Sequence, residues 1–231
     1  MARDGTKPII LLHPAGAKAL EIEQDNQTFR LVSADEELGS ARIIFGGSFD
    51  PPHRGHRALL DCLLDRFPEA KISLIPVHRH AFGKKLMPFS LRVSWCKALA
   101  ADLSERIEVD EVESRLDGRS ISTVRYFREQ EPTVRLVWAI GSDLLSSLSK
   151  WGEAAALSQL VEFCVFQRGG EAIDGSQTAS PLVMPRISST ELRRDLRQGL
   201  VMESGLPDVL KPLFLKENPY LDQTDSTEFS D

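Results

Sequence analysis

The run Gly46-Gly47-Ser48-Phe49-Asp50-Pro51-Pro52-His53-Arg54-Gly55-His56 holds the densest chemistry in the chain. Two adjacent glycines let main-chain N–H groups close on an anion with no Cβ in the way. Pro51 and Pro52 stiffen the loop and set its direction. His53 and His56 are three residues apart at an expected helix start, so both rings share one face near the positive end of that helix. Gly55 between them removes a side chain where a phosphate or base would pass. No Gly-Lys-Ser/Thr follows, so this is not a Walker loop, and it is not a GxGxxG dinucleotide turn. Taken alone, the residues also admit two other readings. One is a zinc site, which needs a third ligand that no neighbouring residue supplies. The other is a structural Gly-Pro turn with incidental histidines.

A second anion site is written near the other end of the chain. Ser188, Ser189 and Thr190 open an expected helix and can cap it, leaving main-chain N–H groups aimed at a negative charge. Arg193 lies one turn further on, where a guanidinium can chelate a phosphate at two points. An ordinary N-cap with a surface arginine is the alternative. Asp143 comes just after the apolar run Val134–Ile140, beyond Gly141 and Ser142, a position that suits a ligand contact or a helix cap equally.

Apolar runs alternating with amphipathic stretches must position these residues. Arg42–Phe45, Lys71–Val77, Arg106–Val109, Val134–Ile140 and Val161–Phe166 read as buried strands. Ala58–Phe67, Ser90–Leu103, Ser122–Gln130, Trp151–Leu160, Ser188–Gln198 and Pro207–Glu217 read as helices, with Ser90 as a cap. Strand–helix alternation predicts a parallel sheet covered on both faces, with ligands beyond the carboxyl ends of its strands. The chemistry-bearing residues follow strands, as that rule requires. Residues 1–40 break the rhythm: Ile9–Leu12, Ala19–Ile22 and Phe29–Val32 suggest a small β-rich extension. The expected division is thus 1–40, a main domain over 41–220, and an acidic, disordered tail over 221–231.

The 231 residues carry a formal charge of −6. Residues 1–40 hold −3 and residues 221–231 hold −4, which leaves +1 for the body. That balance argues against general nucleic-acid binding and against a polybasic membrane anchor. Cys62, Cys96 and Cys164 are an odd, widely spaced set among apolar neighbours, expected to be buried, reduced thiols. No apolar run reaches the roughly 20 residues of a membrane span. Pro8–Leu12 is too short for a signal-peptide core. These features predict a soluble, cytoplasmic protein.

The run GGSFDPPHRGH resembles the HxGH loop of the nucleotidyltransferase superfamily, in the form found in nicotinate/nicotinamide mononucleotide adenylyltransferases. Ile187-Ser188-Ser189-Thr190-Glu191-Leu192-Arg193 is similar to the family's ISSTxxR signature. Ile140-Gly141-Ser142-Asp143 with Trp151 is similar to its GxD…W segment, where the Asp contacts the nucleotide and the Trp region borders the pyridine ring. Gly118–Val124 loosely resembles the SYTxxTL segment, which brings in Ser120 and Thr123. Phe166–Gly170 is similar to the strand-ending RPG, with Gly for Pro. The resemblance spans roughly residues 42–220. One departure touches the substrate: the segment Pro76–Leu86 has Gly83-Lys84-Lys85 where nicotinate-type enzymes carry a PPHK-like loop, and Gly152 stands where an aromatic is common. Acid or amide mononucleotide stays open on this ground, as does which of Arg79, Lys84 and Lys85 faces the pocket.

The resemblance implies a Rossmann-like, doubly wound α/β sheet of the nucleotidyltransferase type. It implies transfer of AMP from ATP to a pyridine mononucleotide, with pyrophosphate released and Mg²⁺ held mainly by phosphates and water. Gly46, Gly47, Ser48, Phe49, His53, His56, Gly141, Asp143, Ser188, Ser189, Thr190 and Arg193 would line the ATP site, with His53, His56 and Arg193 acting in catalysis. Lys84, Lys85, Ser120, Thr123 and Trp151 would serve the mononucleotide. Another adenylyl- or cytidylyltransferase of the superfamily, or a non-catalytic nucleotide sensor, are the alternatives. The oligomeric state is not written in these motifs.

Overall fold

The computed structural model describes residues 19–32, 37–79, 85–168, 183–184 and 187–221. Its strands are β1 (Ala19–Gln24), β2 (Gln27–Val32), β3 (Ala41–Gly47), β4 (Lys71–Pro76), β5 (Ile107–Val109), β6 (Arg135–Gly141), β7 (Glu162–Arg168) and β8 (Val183–Met184). Its α-helices are α1 (Arg54–Arg66), α2 (Phe89–Leu103), α3 (Ser120–Gln130), α4 (Ala154–Leu160), α5 (Ser189–Arg197) and α6 (Lys211–Lys216). The sheet order is β1-β2-β7-β6-β3-β4-β5, with β8 beside β7. From β7 to β5 all neighbours are parallel, and β3 lies between β4 and β6. The chain therefore winds outward in one direction from β3 and in the other from β6, which makes the gap between their carboxyl ends the switch point.

Alternation along the strands divides the core in two. Ile43, Phe45, Ile72, Leu74, Val137 and Ala139 meet Leu59, Leu60 and Leu63 of α1 and Cys96 and Leu99 of α2 on one face. Ile44, Leu136, Trp138 and Ile140 meet Ile121, Val124 and Phe127 of α3 and Leu157 of α4 on the other. Both faces being covered explains why these strands read as unbroken apolar runs. A third cluster packs Leu192 and Leu196 of α5, Leu206, Leu210, Phe214 and Tyr220 against Trp95 of α2.

Several boundaries differ from expectation for local reasons. Helix α2 starts at Phe89 with Pro88 at its cap position, and Ser90 lies inside its first turn. Helix α3 begins at Ser120, two residues early. Residues Ser142–Lys150 form a 3-10 stretch, and α4 begins only at Ala154. The final helix is split into a 3-10 turn at Asp208–Leu210 and α6. The hairpin β1–β2 turns at Asp25 and Asn26, both in left-handed conformation, which short polar side chains tolerate. It joins the sheet edge through Leu31 beside Phe163, with Ile22 and Phe29 buried. The expected strand Ile9–Leu12 and the tail 222–231 lie outside the described residues. Among the described residues no helix is long and apolar enough to cross a membrane. Cys96 and Cys164 are buried, and burial pushes both thiols up, Cys164 to about 12.

Candidate active site

The carboxyl end of β3 leads straight into the histidine loop. Gly47 approaches Phe49 so closely that a Cβ there would lie 3.0 Å from the ring. Phe49 is held at φ +46, a left-handed backbone that is strained for a large side chain. Its ring is fully buried, edge-on to Phe45 at 5.5 Å and to His56 at 4.9 Å. So Phe49 supports the histidine from below, and its side chain does not line the cleft.

His53 is the N-cap of α1 and His56 the third residue of that helix. The main-chain N–H of His56 donates to Nδ1 of His53 at 3.3 Å, and that of His53 donates to Nδ1 of His56 at 3.0 Å. Imidazoles thus replace the usual hydroxyl and carboxylate of a capping box. A ring whose Nδ1 accepts must carry its proton on Nε2, so each imidazole presents an Nε2–H donor. The rings stack with centroids 3.6 Å apart and planes 21° from parallel. Two matched donors at the positive end of a helix suit the oxygens of a polyphosphate.

The ISST segment takes its expected form. Ser188 caps α5, accepting from the Glu191 N–H at 3.1 Å, while Glu191 reaches back to the Ser188 N–H at 3.2 Å. The Ser188 hydroxyl, which also donates to Glu191 Oε2 at 2.9 Å, and then the Ser188 N–H hold the Glu191 carboxyl below the usual carboxylate range. Ser189 and Thr190 form the first turn that follows. Arg193 is buried, with Nη1 donating to the main-chain oxygen of Asp50 at 2.9 Å and Nη2 to Thr190 Oγ1 at 3.4 Å. The guanidinium therefore ties α5 to the histidine loop, bringing the two predicted anion sites together. Burial of Arg193 sets aside the alternative of an ordinary N-cap with a surface arginine.

Other predicted residues are placed unequally. Gly141 ends β6 beside β3, and Asp143 stands exposed in the first turn of the 3-10 stretch, at the switch point. Gly46 lies against the indole of Trp138. Ser120 opens α3 and is partly buried. Thr123 was expected at the substrate, but it is fully buried and its hydroxyl donates to Glu113 Oε1 at 2.5 Å. Desolvation raises the Glu113 carboxyl, so Thr123 and Glu113 anchor the start of α3 from inside. Trp151 is half-buried, edge-on to Trp138 at 6.2 Å and to Phe163 at 6.4 Å. Lys85 is exposed, as is Arg79, and Lys84 lies outside the described residues.

Three residues with large structural roles were given none from the sequence. Arg92, fully buried on α2, donates to the carbonyls of Ser48 at 2.7 Å, Met87 at 2.9 Å and His78 at 3.4 Å. It joins the loop after β3 to the loop after β4, alongside the bond from the Val77 N–H to the Gly47 carbonyl at 2.9 Å. Asp50 and Tyr220 form a buried hydrogen bond at 2.7 Å beneath the same loop. An arginine flanked by Leu91 and Val93 on an expected helix was the one available signal for Arg92. Asp50 sits within the histidine run and Tyr220 in the stretch from Leu206 that resembles the family's C-terminal helix pattern, but nothing local predicts the bond between them.

A family model described as cytidylyltransferase-like matches residues 44–195, the span from β3 to α5. The probable nicotinate-nucleotide adenylyltransferase of Anaeromyxobacter dehalogenans strain 2CP-C is 31% identical over 176 residues, covering 74% of this chain and 91% of that protein. Its namesake in Methylacidiphilum infernorum is 35% identical over 184 residues, covering 76% and 89%. Among solved structures, Plasmodium falciparum nicotinic acid mononucleotide adenylyltransferase complexed with NaAD superposes with a TM-score of 0.64 at 21% identity, covering 80% of this chain and 98% of that one. That last likeness is one of fold, and it includes the doubly wound sheet described above. Extending across both anion-binding segments and nearly the whole of each relative, the match leaves a single assignment: the chain belongs to the nicotinate-nucleotide adenylyltransferase family.

Proposed function

We infer that the protein transfers AMP from ATP to nicotinate mononucleotide, forming the dinucleotide and pyrophosphate. The observation that carries this reading is the stacked His53–His56 pair, whose Nδ1 atoms are both engaged by main-chain N–H groups. A phosphate oxygen of the mononucleotide attacks the α-phosphorus of ATP in line. The new P–O bond forms as the bond to the β-bridging oxygen breaks, and pyrophosphate leaves with that electron pair. The attacking oxygen is already anionic at neutral pH, so no protein base is needed. The chain's work is positioning and charge stabilisation.

His53 and His56 donate from Nε2 to oxygens about the α- and β-phosphates. The Ser188–Thr190 helix start, set by Arg193, faces the outer phosphates. Asp143 and Gly141 border the nucleoside, and Trp151, Ser120 and Lys85 border the mononucleotide, with Thr123 acting through Glu113. Mg²⁺ would be held mainly by phosphate oxygens and water, which suit this hard cation. When bound it neutralises charge developing on the phosphates.

The deciding measurement is pyrophosphate release from ATP with nicotinate and nicotinamide mononucleotides side by side. The relatives' nicotinate names support a kcat/KM ratio of at least about tenfold in favour of the acid, a difference that one well-placed polar contact supplies. A ratio near one, or favouring the amide, would reverse the substrate assignment and leave the adenylyl transfer standing. The loop itself gives a second expectation. Gly47→Ala drives a Cβ into the Phe49 ring, which Phe45 and His56 prevent from retreating. Overpacking of this kind costs about 1–3 kcal/mol, and ATP affinity measured by calorimetry should fall with it.

A further inference from the structure

The histidine loop is held from beneath by the far end of the chain. Asp50 lies between the strained Phe49 and the His53 cap and is almost fully buried. Its Oδ1 accepts from the Tyr220 hydroxyl at 2.7 Å and from the Met87 N–H at 3.3 Å. Its main-chain oxygen accepts from Arg193 at 2.9 Å. One residue later in the helix, the Arg54 N–H donates to the Gly205 carbonyl at 2.8 Å. A segment more than 150 residues away in sequence thus contacts the loop on both sides of its proline pair.

Tyr220 is well suited to a positioning role because its ring and its hydroxyl have separate supports. The ring stacks parallel to Phe214, with planes 6° apart, and lies beside Trp95. Its main-chain N–H donates to Asn218 Oδ1, and Asn218 Nδ2 donates to the Leu196 carbonyl at 2.7 Å. None of these contacts involves the hydroxyl. Burial and the neighbouring Asp50 carboxylate raise the phenol above its ordinary value, so the oxygen stays protonated and donating throughout the range in which such an enzyme works.

We propose that Tyr220 is a positioning residue for the triphosphate site: through its hydroxyl bond to Asp50 it fixes the loop that presents His53 and His56. The proposal rests on the reading of that loop as the ATP site. A carboxylate anchored on one side swings by a fraction of an ångström when the anchor is lost, and misplacement on that scale is costly when donors must meet a transition state.

The test is Tyr220→Phe, which deletes one oxygen and keeps the packed ring. Leu210→Ala is the control: Leu210 is fully buried in the same C-terminal cluster, and none of the hydrogen bonds at Asp50 involves it. At a temperature where all three proteins are folded, Tyr220→Phe should lose about tenfold in kcat while its Tm falls by only a few degrees. Leu210→Ala should lose at least as much in Tm and keep its kcat. Wild-type kcat in Tyr220→Phe overturns the proposal, as does an equal loss in Leu210→Ala. Nitrogen-15 spectra of the histidines provide a readout that needs no nucleotide. The wild-type rings should show the Nε2–H tautomer, and Tyr220→Phe should shift or broaden both signals. If the wild type releases no pyrophosphate from ATP, the functional reading fails on its own, and unchanged histidine signals in Tyr220→Phe then overturn the positioning role.

Discussion

His56→Ala is expected to lower kcat for pyrophosphate release by about two to three orders of magnitude, the usual cost of removing one preorganised donor from a developing charge. The ring of His56 has two tasks that can be separated. Its Nδ1 accepts the His53 N–H and so completes the helix cap, while its Nε2–H is the donor that the proposed transfer assigns to a phosphate oxygen. Losing the cap half costs about 1 kcal/mol, too little to unfold a domain with two extended cores. His56→Asn separates the tasks further. An amide can satisfy the His53 N–H, yet it is too short to reach where Nε2 stood, so stability should recover while kcat stays low. Circular dichroism and urea titration read the first effect, and single-turnover pyrophosphate release reads the second. A His56→Ala protein with unchanged turnover would remove the histidine pair from the mechanism.

The parts of this site that the sequence reveals are those built from neighbours. His53, His56, Gly46 and Gly47 are legible because helix spacing and glycine sterics act over a few residues. The Ser188 cap with Glu191 three residues on is legible for the same reason. The parallel sheet covered on both faces follows from apolar runs that lack alternation, and the two-sided burial of Ile43 and Ile44 is the physical basis of that pattern. Bonds between distant segments leave no such trace. Tyr220 and Asp50 are 170 residues apart, and Arg193 and Asp50 are 143 apart. Thr123 shows the same limit, since only the fold reveals that its hydroxyl meets Glu113 in place of a ligand. The 3-10 stretch at Ser142–Lys150 was hidden because its apolar spacing, Leu144, Leu145 and Leu148, serves either helix type.

Arg92→Met should have the largest effect on stability, about 3–5 kcal/mol, with both substrates binding more weakly. Arg92 is 1% exposed, and its guanidinium serves three main-chain carbonyls from two loops, lying over the Phe89 ring at 5.5 Å. Burial lowers its pKa, and the nearby Asp50 carboxylate opposes that effect. Methionine fills much of the same volume, so the loss comes chiefly from carbonyls left without donors, at about 1–3 kcal/mol for each buried group. Water entering the gap relieves part of that sum. Arg92→Lys should recover some stability, because an ammonium can reach one or two of these oxygens. It cannot span Ser48 and His78 as a planar fork does, so the two loops should still drift apart. Ser48 belongs to the histidine loop proposed for the triphosphate, and His78 leads into the segment carrying Lys84 and Lys85. KM should therefore rise for ATP and for the mononucleotide together, whereas His56→Ala acts chiefly on kcat. Urea titration and a two-substrate kinetic matrix separate these patterns. A loss below about 1 kcal/mol with both KM values unchanged would mean that other donors can serve the three carbonyls, and that Arg92 does not hold the two halves of the site in register.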